Sequence, residues 1–91
     1  MTGGEDMMVF EQRLAARQQT RALGFTLEQG VFLSVGEETW WGRVQQATVA
    51  GVWLHDAEQR TGGQRYDYAA PLFFPFAAIT FIQLDPEDQG P

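Results

Sequence analysis

Few side chains in this chain could do chemistry. His55 is the single histidine and stands beside Asp56, while cysteine and lysine are absent. Adjacent residues on an extended strand point to opposite faces, so His55–Asp56 cannot serve as a base and its orienting acid. Metal ligation needs several convergent donors, which one histidine and scattered carboxylates do not supply. The absence of cysteine removes thiolate nucleophiles and disulfides, and the absence of lysine removes Schiff-base chemistry. Gly62-Gly63 lacks both the following Lys-Ser/Thr pair and the strand-to-helix setting of a phosphate loop. Glu37 and Glu38 fall in a turn, where solvation is their ordinary state. Without an acid, base or nucleophile set in a cleft, the expectation is a non-enzymatic protein with no cofactor and no metal.

The tryptophans offer a different chemistry. Trp40 and Trp41 are consecutive and so face opposite sides of their strand, which puts at least one ring outside the core. Arg43 shares the face of Trp41, so an arginine–aromatic surface able to stack a base or a partner's side chain is one reading. Packing in a sheet is the competing reading, and strand aromatics commonly do that.

The chain has 91 residues, six arginines as its only basic side chains, and twelve acids, for a formal net charge of −6. That length suits one domain with a modest core. The charge opposes general attraction to a phosphate backbone, leaving local contact to RNA as the only route of that kind. No apolar run approaches the ~20 residues of a membrane span. The start, Met1-Thr2-Gly3-Gly4-Glu5-Asp6, lacks the basic and apolar regions of a secretory signal, so a cytoplasmic location is expected.

Residues 1–6 read as a flexible tail and 85–91 as an acidic, disordered one. Between them lies one domain, residues 7–84. Over 7–23 the residues Met7, Met8, Phe10, Leu14 and Ala15 share a helical face, with Arg13, Arg17, Gln18 and Arg21 largely elsewhere. Asp6 suits the start of this helix and Gly24 its end. From residue 30 the period changes to two. Val31, Leu33 and Val35 alternate with Phe32 and Ser34, and a turn at Gly36-Glu37-Glu38 leads to a second strand over 39–47. A third strand follows over 52–55, and a fourth over 66–74 is interrupted by Pro71. Pro75 marks a break before a fifth strand over 77–84. A helix and five short strands with tight turns predict a mainly β fold, a small closed or nearly closed barrel that hides its edges.

The order of helix, then Val31-Phe32-Leu33-Ser34-Val35-Gly36, Trp41-Gly42-Arg43-Val44, Val52-Trp53-Leu54-His55-Asp56-Ala57-Glu58 and Leu72-Phe73-Phe74-Pro75-Phe76-Ala77-Ala78-Ile79-Thr80-Phe81-Ile82 resembles the Sm-like (LSm) superfamily, including its bacterial RNA-chaperone branch. Gly36, Gly42, Val52, Leu54, Asp56 and Glu58 match its first motif, and Ile79 and Ile82 its second. The resemblance implies an N-terminal helix and a bent five-stranded antiparallel, SH3-like barrel. It implies a homo-oligomeric ring, in which the fourth strand of one copy pairs with the fifth of the next, and RNA as ligand. Tyr66, Tyr68, Phe73, Phe74, Phe76, Phe81 and Ile82 lie in the interface regions so implied, where aromatic enrichment suits association as well as core packing. RNA-binding members carry an Asp and an Asn between the second and third strands and a basic residue before the last. Here those places read Gln45-Gln46-Ala47-Thr48-Val49-Ala50-Gly51 and Pro75-Phe76. Gln45, Gln46 and Thr48, with Trp41 and Arg43, are therefore the candidate RNA contacts. The alternative is an acidic protein–protein interaction or scaffold module that keeps the barrel and has lost the RNA site.

Overall fold

A computed structural model describes residues 14–88 of the chain. Six strands form one antiparallel sheet: β1 (Gly30–Val35), β2 (Glu38–Ala47), β3 (Gly51–Thr61), β4 (Gln64–Asp67), β5 (Leu72–Pro75) and β6 (Phe81–Leu84). The order is β4-β3-β2-β1-β6, and β5 also pairs with β3. Residues 14–22 are helical. Met7, Met8, Phe10, Arg13 and the expected cap Asp6 lie outside the described residues.

The alternation seen in sequence becomes the core. Val31, Leu33, Trp40, Val44, Ala47, Val52, Leu54 and Phe74 cluster inside the bend, with Phe25, Val35, Leu72, Phe76 and Ile79 packed against them. Two register shifts interrupt the β2–β3 pairing, between Trp41 and Arg43 and between Val44 and Gln46. The first adds a residue to β3 near Asp56, whose φ is 52°. The second adds one to β2 near Gln45. Each bulge reverses which side chains face inward, so Ala57 follows Leu54 into the core and Ala47 follows Val44. Bulges also bend and twist strands, as a small barrel requires. At Gly42 an added Cβ would lie 2.9 Å from Leu54 Cβ, so the close approach of β2 and β3 there needs glycine.

Several expectations change. The third strand, expected over 52–55, runs to Thr61, because the polar segment His55–Thr61 is held by β2 on one side and β4 on the other. The expected fourth strand splits into β4 and β5, which pair with opposite halves of β3. Pro71 lies in the break, where its missing N–H costs no ladder bond. Part of the expected fifth strand is a single 3₁₀ turn, Phe76–Ala78, and the strand proper begins at Phe81. Leu14 and Ala15 are exposed, so the described part of the helix does not dock through them. Thr20 is its buried contact instead. Its Oγ1 donates to the Ala16 carbonyl at 2.7 Å and accepts the Ala47 N–H at 3.0 Å. Gly24, at φ 89°, ends the helix as expected, with Phe25 N–H bonded to Thr20 O and Gly24 N–H to Arg21 O.

Residues 85–88, at the start of the acidic end, lie against the sheet. Asp85 N–H donates to Gly30 O, and Glu87 N–H is accepted by Asp85 Oδ1. No helix among the described residues is long and apolar enough to cross a membrane.

Candidate functional site

Three surfaces carry the residues singled out in the sequence. The first is the pair of sheet ends. β6 pairs with β1 on one side only, and β4 and β5 pair with β3 on one side only. Within one chain the sheet is open between these ends. β6 is exposed throughout, with Phe81, Ile82 and Leu84 retaining 57%, 36% and 53% of their accessible surface. Tyr66, Tyr68 and Phe73 are exposed along the opposite end. Phe74, grouped with them in sequence, belongs to the core at 7% exposure, its ring 5.1 Å from that of Trp40 in an edge-on arrangement. Phe76 is half-buried and stacks on Phe25 at 6.2 Å. β5 turns Phe74 inward and Phe73 outward, whereas Phe76 lies beyond β5 in the 3₁₀ turn. Leu84 is an exposed apolar edge residue that the sequence reading did not single out.

The second surface surrounds the β2–β3 turn. Thr48 Oγ1 accepts the N–H groups of Ala50 and Gly51 and donates to the Gly51 carbonyl, so this hydroxyl shapes the turn. Phe76 N–H donates to Ala50 O at 3.0 Å, joining this turn to the 3₁₀ turn before β6. Gln45 and Gln46 line a shallow cavity with Trp53 and Pro71, and Trp53 packs against Phe73 at 5.1 Å. Gln45 is exposed and Gln46 half-buried.

The third surface is the outer face of the sheet. Trp41 and Arg43 share it as expected, with the guanidinium 5.3 Å from the ring centre. Arg60 stands 5.5 Å from the Phe32 ring and 6.0 Å from Trp41, and pairs with Glu58 at 2.7 Å. Trp41 Nε1–H donates to Asp85 Oδ2 at 3.0 Å, and Arg43 donates to Glu28 O and pairs with Asp88 at 3.3 Å. The five RNA-contact candidates therefore divide into Gln45, Gln46 and Thr48 at the turn and Trp41 and Arg43 on the outer face. Asp85 and Asp88 escaped the sequence reading because Asp, Glu, Pro and Gly dominate the final residues. The available signal was an Asp immediately after a strand, a residue that bonds to backbone two positions on.

His55 bridges two segments. Its Nε2 lies 2.6 Å from Glu28 Oε2, and its Nδ1 lies 3.2 Å from Asp56 Oδ2. The neighbours His55 and Asp56 do meet, against the opposite-face expectation, because the bulge at Asp56 (φ 52°) breaks the strand alternation. The two carboxylates address opposite ring nitrogens and cannot converge with the ring on one ion. No group of three or more metal-ligating side chains occurs among the described residues.

Comparison with solved structures matches this bent sheet. A heptameric archaeal Sm protein superposes with a TM-score of 0.60 at 18% identity, covering 66% of this chain and 90% of the other. The fold is Sm-like. The P. aerophilum SmAP1 heptamer gives 0.61 at 18% identity over 66% and 82% of the two chains. The Sm protein of Pyrococcus abyssii, solved in complex with a uridine heptamer, gives 0.59 at 18% identity over 65% and 86%. No protein-family model and no curated protein sequence matches the chain. β4 and β5 together stand where the sequence predicted one fourth strand, and β6 where it predicted the fifth.

Proposed function

We propose that this chain is a non-enzymatic Sm-like subunit that closes into a homo-oligomeric ring and contacts RNA in the cytoplasm. The carrying observation is the pair of unlike open ends of one sheet, β6 with Phe81, Ile82 and Leu84, and the β4–β5 end with Tyr66, Tyr68 and Phe73. An exposed apolar edge invites strand pairing. Because the two ends differ, a contact between copies is head-to-tail and closes into a ring when the rotation permits. The heptamers among the similar folds support this closure. The uridine complex supports RNA as ligand, with Gln45 and Gln46 beside the β2–β3 turn as the contacts still open to it.

A protein-interaction scaffold is the second reading. It is favoured by Arg43 and Thr48 being engaged within the chain and by the net charge of −6. Light scattering at several concentrations tests the ring, and a monomer throughout overturns it. Anisotropy with a labelled uridine oligonucleotide at low and moderate salt tests the ligand. Affinity that falls with salt supports RNA, since phosphate contacts release counterions. A stable oligomer that ignores RNA at low salt moves the function to the scaffold.

A further inference from the structure

The outer face of β1 and β2 presents a cluster of hydrogen-bond donors. Gly30 pairs with Arg43 across the two strands, so the Gly30 N–H, the Gln29 carboxamide, the Arg43 guanidinium and the Trp41 indole N–H lie together. Asp88 Oδ2 accepts from Gly30 N–H, from Gln29 Nε2 at 3.3 Å and from Arg43 at 3.3 Å, while Asp85 Oδ2 takes the Trp41 N–H. The Asp88 side chain is only 14% exposed there. A Cβ at position 30 would stand 2.9 Å from both Asp88 Oδ2 and the Trp41 ring, so it would crowd the cradle and displace the side chains in it. A chain with twice as many acids as bases thus directs two of its carboxylates into a donor cradle, on a face away from the core.

We infer that Gln29, Gly30, Trp41 and Arg43 form a binding site for an acidic peptide with carboxylates three residues apart, filled in the isolated chain by its own Asp85–Asp88 segment. The observed occupant is carboxylate, and a planar guanidinium with neighbouring N–H donors suits that group. Asp85 directly follows β6, so tethering gives the resident segment a high effective concentration, and an outside peptide must displace it. The segment therefore plugs the Trp41–Arg43 surface in cis. This reading is independent of ring closure and of RNA at the β2–β3 turn.

The test uses the full chain, its Asp85→Asn/Asp88→Asn variant, and a labelled synthetic peptide of residues 84–88. The variant is expected to bind the peptide at least about tenfold more tightly than the parent, because the cis competitor is gone. The Trp41 indole N–H resonance should shift in the variant and return toward its parent position on peptide addition. Adding Arg43→Gln to the variant should abolish binding. Gly30→Ala gives a second route. It should release Asp88 by bulk yet fail to bind the peptide, because the new Cβ fills the cradle. Equal binding by parent and variant overturns the plug, and binding by neither overturns the site. A variant that takes a uridine oligonucleotide through Arg43 but not the peptide assigns the surface to phosphate and overturns the acidic-peptide reading.

Discussion

Gly51→Ala should destabilise the fold strongly. Gly51 begins β3 and pairs with Pro75 of β5. A Cβ at this position would overlap the Phe74 carbonyl oxygen and stand 2.7 Å from the Phe73 ring and 2.8 Å from Pro75 Cα. Two of these three neighbours are backbone, so no rotamer change relieves the clash and β5 itself must move outward. Replacing glycine within a strand otherwise stabilises by about 0.5–1 kcal/mol through lost freedom of the unfolded chain. Overpacking opposes this by about 1–3 kcal/mol. Displacing β5 also loosens Phe74, whose complete removal from a core costs about 3–5 kcal/mol. Steric overlap therefore wins, with a net loss of about 2–4 kcal/mol. For a domain of this size each kcal/mol is worth ~4–8 °C in Tm, so a fall of roughly 8–32 °C is expected. Urea and thermal unfolding followed by tryptophan fluorescence would measure it, at matched protein concentration because association adds stability by mass action. A variant as stable as the parent would refute the close β3–β5 packing on which this fold rests.

Three further perturbations separate core from surface. Thr20→Val keeps the shape of the side chain but strands the buried Ala47 N–H, at a cost of about 1–3 kcal/mol; accelerated amide exchange at Ala47 would accompany the loss seen in urea. Phe74→Ala should cost about 3–5 kcal/mol of stability. Phe81→Ala should leave subunit stability within about 0.5 kcal/mol while lowering the mass of any oligomer seen by light scattering, and an unchanged mass would remove Phe81 from the interface.

Much of the architecture was legible in the residues, because strand alternation and turn chemistry are local. Val31, Leu33 and Val35 announced β1, and Gly36 and Gly62-Gly63 announced turns that take φ values of 60°, 63° and 79°. The consecutive Trp40 and Trp41 required one ring inside and one outside. Gly24 marked the end of the helix, whose last residues need a left-handed position to satisfy their carbonyls.

The sequence by itself thus determined the first two strands, the turns, the opposed tryptophans and the poverty of catalytic groups. Tertiary structure alone decided where the period-two pattern slips. The bulges near Gln45 and Asp56 send Ala47 and Ala57 inward, and no residue type in that polar stretch announces a change of phase. It also decided that Phe74 is core while Phe73 and Phe81 are surface. Composition assigns all three the same burial, and only the pairing of β5 with β3 and of β6 with β1 distinguishes their faces. The Asp85–Asp88 segment makes the same point. Its composition resists burial in an apolar core, yet it lies on the sheet because Arg43, Trp41 and the Gly30 N–H, remote in sequence, converge on its carboxylates. Local periodicity reports which way a side chain points along one strand, whereas a partner many residues away exists only once the strands have paired.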